Sequence, residues 1–181
     1  MKTLTLLRHA KSGWDDPVER DFDRPLNAKG RRAAATVGRH MRSLDMHFDQ
    51  VTASPAARVK ETLESVETGY GAPLDPHFDR RIYLASAETL LDVIHDTPDN
   101  ADTLLLVGHN PGLEELVLLL VPDREEDGER DKVEEKYPTA SIAQITLDVP
   151  NWRAVQPGGG ALSRFIRPRD LDPALGPEKN H

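Results

Sequence analysis

The sequence predicts an α/β protein in three layers, a mainly parallel β-sheet with helices on both faces. Three observations carry that expectation. Short apolar runs at Leu4–Leu7, Phe48–Ala53 and Thr103–Val107 alternate with stretches whose apolar residues recur at helical spacing. The first and third runs are apolar almost throughout, as strands buried on both faces of a sheet are. Each of the three then breaks abruptly into polar chemistry: Arg8-His9, Ser54 to Arg58, and Gly108-His109. Right-handed crossovers place the carboxyl ends of parallel strands on one edge, where open α/β sheets bind their ligands. Three stretches far apart in sequence therefore converge.

The elements follow in order. After Leu4–Leu7 comes a polar, irregular stretch from Lys11 to Arg24. Asn27 then supplies an N-cap for a helix through about Leu44, with Ala33, Val37, Met41 and Leu44 as its buried stripe. His40 and His47 lie near its end, where a surface histidine suits the helix dipole. Ser54-Pro55 closes the second strand, and a helix runs to about Thr68 on Val59, Leu63 and Val66. Gly69 to Pro76 is turn-rich, with Ala72 to Leu74 as a short edge strand. Ala87, Leu90, Leu91 and Ile94 define a third helix, with His95 structural. A fourth carries Leu113, Leu116, Val117 and Leu120. Ser141–Val149, Trp152–Val155 and Leu162–Ile166 read as later strands, with a flexible turn at Gly158-Gly159-Gly160.

Residues 122–136 hold eight acidic and four basic residues, the composition of a charged surface loop or solvated helix. The tail from Arg167 is rich in proline and is expected to pack little. A chain of 181 residues reads as one domain, 1–181, burying roughly 70% of its unfolded surface. It contains no cysteine, which excludes disulfides, thiolate metal sites and thiol catalysis. No apolar run approaches a membrane span. Met1-Lys2 leads straight into a short strand without a signal-peptide pattern, so a cytoplasmic location and no membrane partner are expected. The net charge of −8 argues against a general nucleic-acid binder. An anionic substrate needs a locally positive pocket, which Arg8, Lys11, Arg24 and Arg58 can supply.

Arg8 offers a fixed cationic fork for phosphate or carboxylate, and His9 a nitrogen nucleophile or base near neutral pH. Ser54, Arg58 and Thr62 step by four residues and share one side of their helix. Arg58 thus sits near a helix N-terminus, where anions already bind well. Taken singly, each has a plain structural explanation: a polar strand end or a solvated helix charge. In combination they do not.

Leu7-Arg8-His9-Ala10, Ser54-Pro55 with Arg58 and Thr62, and Val107-Gly108-His109-Asn110-Pro111 resemble the signature of the histidine phosphatase, or phosphoglycerate mutase-like, superfamily. The Gly-His-Asn-Pro form, Arg24-Pro25-Leu26 with Gly30, and Lys136-Tyr137-Pro138-Thr139 resemble its small SixA-type branch of phosphohistidine phosphatases. The resemblance implies a phosphoglycerate mutase-like fold and a hydrolase that needs neither metal nor cofactor. His9 would take the phosphoryl group from a phosphorylated protein or a small phosphorylated molecule and yield it to water. Arg8, Arg58 and a protonated His109 would neutralise the phosphoryl oxygens, and Ser54 or Thr62 would orient Arg58. Lid-bearing members use an acidic proton donor after the Thr62 position. Here that segment holds only Asp79, the candidate acid, and Glu88, neither in a matching motif. The alternatives are a metal-independent phosphomonoesterase for a small metabolite, a metal site on His9 and His109 that lacks a third ligand at sensible spacing, and an inactive phosphate-binding module. A P-loop enzyme is excluded for want of its glycine-lysine motif.

Overall fold

The computed structural model describes residues 1–13, 20–124 and 128–176. Residues 14–19 of the irregular stretch, 125–127 of the charged run and 177–181 of the tail lie outside the described residues. The strands are β1 (Lys2–Arg8), β2 (Gln50–Ala53), β3 (His77–Phe78), β4 (Thr103–Gly108), β5 (Ile142–Leu147) and β6 (Gly160–Ile166). They form one sheet in the order β3-β2-β4-β1-β5-β6. The pairs β3·β2, β2·β4 and β4·β1 are parallel, whereas β5 and β6 add antiparallel edges. This is the α/β architecture expected, in a mixed sheet.

The helices are α1 (Ala28–Ser43), α2 (Ala57–Tyr70), α3 (Ala87–His95), α4 (Gly112–Leu120), α5 (Gly128–Glu135) and α6 (Pro168–Leu171). The Asn27 side chain accepts from Gly30 N at 2.8 Å, the predicted cap of α1. Ser86 accepts from Thr89 N and caps α3 in the same way. Two cores lie on opposite faces of the sheet. Leu7, Leu105 and Val107 meet Val37, Met41, Val59 and Leu63 of α1 and α2 on one side. Leu4, Leu6, Leu104 and Leu106 meet Leu90, Ile94, Leu113 and Val117 of α3 and α4 on the other. Successive strand residues point to opposite faces, so apolar runs are required for two cores. Helices α1 and α2 pack unusually close: a Cβ on Gly38 would fall 2.2 Å from Val66 O, and one on Gly69 2.0 Å from Ala35 O. Among the described residues no helix is long and apolar enough to cross a membrane.

Several local expectations are corrected. Ala72–Leu74 is not a strand; Leu74 N is taken by the Glu67 carboxylate at 3.1 Å, and the edge strand is His77–Phe78. Trp152–Val155 is a 3₁₀ turn over Trp152–Ala154. The Asn151 side chain accepts from Ala154 N at 2.9 Å, and Trp152 Nε1 donates to Ala101 O at 2.7 Å, so the backbone curls to seat the indole. The charged run is only partly solvated, because in α5 Val133 is fully buried and Arg130 Nε donates to Val121 O. The tail also packs: α6 buries Pro168, Leu171 and Leu175 lie against the α1–α2 core, and Lys29 Nζ donates to Gly176 O at 2.6 Å.

Candidate active site

Parallel register brings the three strand ends together. Arg8 lies opposite Gly108, and Ala53 opposite Val107. The ladder continues one residue further, with His9 N donating to Gly108 O and Ser54 N to Val107 O, both at 3.0 Å. Arg8, His9, Arg58 and His109 consequently line one open cleft of about 430 Å³, with Lys11, Arg24 and Asn110 around it. The four residues singled out from the sequence are thus brought together.

His9 is 7% exposed, and its ring centroid stands 5.3 Å from that of His109. His9 Nδ1 lies 2.7 Å from Ala10 O. A carbonyl can only accept, so Nδ1 carries the proton and Nε2 keeps its lone pair. Burial, with added repulsion from His109, Arg8 and Arg58, pushes the His9 pKa down to about 3 against the pull of the Ala10 carbonyl. The ring is therefore neutral at neutral pH.

His109 differs from the expectation of a protonated ring. Burial first, then Arg58, push its pKa down to about 4, against the opposing pull of Asp21. In the free cleft His109 is neutral, with Nε2 2.7 Å from Ser54 Oγ. An entering phosphate dianion favours the charged form and pulls this pKa back up.

The low histidine values have a consequence for stability. The unfolded chain, with histidines near ~6.5, binds protons that the folded chain refuses. The contribution is complete above about pH 6.5 and is lost as pH falls toward the folded values. The urea midpoint is expected to drop as pH is lowered from about 6.5 to about 4, and to drop less in His9→Gln. Parallel midpoint curves for the two proteins would contradict this.

Arg8 donates NH1 to Tyr137 O at 2.8 Å, and Asn110 Nδ2 donates to the same carbonyl at 3.1 Å. Tyr137 is anchored in turn by its hydroxyl on Leu6 O at 2.6 Å. Arg58, 2% exposed, donates NH1 to Asp21 O at 2.9 Å and NH2 to Asp21 Oδ2 at 3.0 Å. The Asp21 carboxylate also takes the Tyr83 hydroxyl at 2.7 Å and pairs with Arg24 at 3.2 Å. Burial alone would push this carboxyl up, but Tyr83 and Arg58 outweigh it and hold its pKa below the ordinary value. Among the described residues, Arg8 Nε, Arg58 Nε and His109 Nδ1 are buried without a hydrogen-bond partner. Orphaned polar atoms of this kind are costly, and each calls for an explanation such as a catalytic or binding role.

The remaining candidates fall elsewhere. Thr62 is fully buried, accepting from Ala10 N at 2.9 Å and donating to Arg58 O at 2.6 Å. It ties the loop after His9 to the Arg58 backbone rather than orienting the guanidinium. Ser54 serves His109, not Arg58. Asp79 is outside the cleft, salt-bridged to Arg81 at 2.8 Å and accepting from Arg81 N. Glu88 lies in the first turn of α3. Asp21, Tyr83 and the Tyr137 carbonyl were missed. The first sits in a stretch without periodicity, the second in a segment, His77 to Tyr83, whose pattern is ambiguous, and the third is a backbone atom. Among the described residues no group of three His, Cys, Asp or Glu side chains is arranged to hold a metal.

A strand-end histidine thus stands beside the buried Arg58 and the half-buried Arg8, at the edge where the parallel strands of the sheet end. The histidine phosphatase superfamily (branch 1) model matches residues 4–82. An uncharacterized protein of Mycobacterium tuberculosis (strain H37Rv) is 36% identical over 164 residues, 90% of this chain and 100% of the relative. A solved candidate SixA phosphohistidine phosphatase of Nakamurella multipartitia has a TM-score of 0.80 at 27% identity, covering 92% of this chain and 96% of that one. Another, from Agrobacterium tumefaciens, has a TM-score of 0.74 at 28% identity, covering 92% and 97%. The chain belongs to the histidine phosphatase superfamily, in its SixA-type branch, and is a phosphatase.

Proposed function

We propose that the chain hydrolyses phosphohistidine on protein substrates through a covalent phosphoryl intermediate on His9. The observation that carries this reading is the neutral His9 ring, whose Nδ1 proton is held by Ala10 O. The Nε2 lone pair attacks phosphorus; the new N–P bond forms as the bond to the substrate imidazole breaks, and that imidazole leaves with the electron pair. The phosphorylated His9 ring is cationic, and the Ala10 carbonyl stabilises it through the Nδ1 proton. Water then attacks phosphorus, the N–P bond returns its pair to Nε2, and the water proton passes to phosphate or solvent. Arg8 and Arg58 hold the equatorial oxygens, with Asp21 positioning Arg58 and Ser54 positioning His109. His109 becomes cationic only when the anion is bound.

The substrate class follows from the acids. Asp21 is the sole carboxylate lining the cleft among the described residues, and its ion pairs keep it deprotonated. Asp79 is committed to Arg81. Glu114, whose carboxyl burial pushes up against the pull of Arg8, does not line the cleft. An alkyl ester expels an alkoxide, whose conjugate acid has a pKa near that of water, ~15.7. Phosphohistidine protonated on its other nitrogen expels neutral imidazole, with a conjugate-acid pKa of about 6.5. A positioned acid contributes ~10²–10⁴-fold, so its lack penalises esters far more. Only 25 residues separate Thr62 from Glu88, and they form the end of α2, β3 and a 3₁₀ turn, leaving the cleft open to a side chain on another protein.

The expected result is a clear preference in kcat/KM for phosphohistidine over alkyl phosphates, with little loss in Asp79→Asn. Equal or better turnover of an alkyl phosphate, with a large defect in Asp79→Asn, would favour instead the phosphomonoesterase acting on a small metabolite.

A further inference from the structure

Beside the cleft lies a second pocket of about 330 Å³, walled by Arg8, Lys11, Lys29, Lys136, Arg167 and Arg169. It shares Arg8, Lys11 and Thr139 with the cleft, so the two lie side by side. No Asp or Glu is among its lining residues. Among the described residues only Arg167 of these cations is in an ion pair, with Asp170 at 2.9 Å. Arg8 and Lys29 give hydrogens to the carbonyls of Tyr137 and Gly176, which supply dipoles but no counter-charge. Lys11, Lys136 and Arg169 form no ion pair with a described residue, and Arg169 Nε is buried without a hydrogen-bond partner. The chain as a whole has 31 acidic and 23 basic residues. Lys11, Lys136 and Arg169, gathered without an ion pair to a described residue in so acidic a chain, make a local positive field of the kind that attracts an anion. Ala33, Pro138 and Leu175 give the pocket an apolar wall as well.

We propose that this pocket is a second anion subsite, taking an Asp or Glu side chain that neighbours the phosphohistidine in the substrate protein. The apolar wall receives the methylene stem and the cations receive the carboxylate. The inference rests on the phosphohistidine reading above and adds a sequence preference to it: acidic flanks. It also gives a purpose to the tail, since Arg167, Arg169 and Leu175 build one side of the pocket.

The test compares two phosphohistidine peptides of equal length, one with acidic and one with amide residues flanking the phosphohistidine, on the wild type and on Lys136→Gln/Arg169→Gln. The wild type is expected to favour the acidic peptide about tenfold in kcat/KM, or ~1.4 kcal/mol. The preference should lie in KM and shrink as salt is raised. The double variant should lose most of it while turning over phosphoramidate, which has no second anion, at the wild-type rate. Equal kcat/KM on the two peptides overturns the proposal, also where a bisphosphorylated small molecule is preferred to both. So does a preference that survives in the double variant. Failure to turn over phosphoramidate and both peptides would be failure of the phosphohistidine reading instead. In that event, affinities for the same two peptides carrying a stable phosphonate analogue decide the subsite: the acidic one binds about tenfold tighter if the subsite exists, and equally if it does not.

Discussion

Replacing His9 by alanine is expected to lower kcat by roughly 10⁴–10⁶-fold, the scale seen when a covalent nucleophile is removed from a machinery that acts as a unit. The physical reason is local. His9 Nε2 is the only imidazole lone pair at the end of β1, freed because Nδ1 is committed to Ala10 O. His109, the other cleft histidine, already holds Ser54 through its Nε2 and cannot take over the attack from its own position. Steady-state kinetics on phosphohistidine, with circular dichroism to verify folding, checks this. A variant retaining even a tenth of wild-type turnover would show that phosphorus is attacked by something else.

The second large effect belongs to Arg58. Arg58→Ala is expected to cost ~10²–10³-fold, mostly in kcat, because preorganised charge aimed at the phosphoryl oxygens matters most as they are redistributed in the transition state. Arg58→Lys should restore little. Asp21 grips both terminal nitrogens, NH1 at 2.9 Å and NH2 at 3.0 Å, and an ammonium has no planar fork to be gripped. If Arg58→Ala raised KM alone and left kcat unchanged, the guanidinium would be a binding charge without a part in the chemistry.

The convergence of Arg8, His9, Arg58 and His109 was legible in the sequence because it depends on topology alone. Three buried parallel strands must end on one edge, and the polar residues after them follow. What was not legible depends on side-chain pairing across irregular backbone. Asp21 reaches Arg58 from 37 positions away, out of a stretch with no periodicity to place it. Thr62 and Ser54 were noticed from their helical spacing with Arg58, yet spacing along one helix does not reveal that Thr62 faces the Ala10 amide and Ser54 the His109 ring. Trp152 reads as strand in the sequence, although its apolar bulk serves a single anchoring turn and not an alternating ladder. The tail was underestimated for a similar reason. Proline-rich composition signals the lack of a regular element, while Pro168, Leu171 and Leu175 pack without one.

Every step of the proposed reaction passes through the covalent intermediate on His9. The decisive measurement is a rapid quench at alkaline pH, where phosphohistidine survives, followed by mass spectrometry of the peptides from wild-type enzyme caught during turnover. A phosphoryl group on His9, appearing and decaying at rates that match turnover, is the expected result. Full turnover with His9 never modified, or with the phosphoryl group on His109 alone, would contradict it.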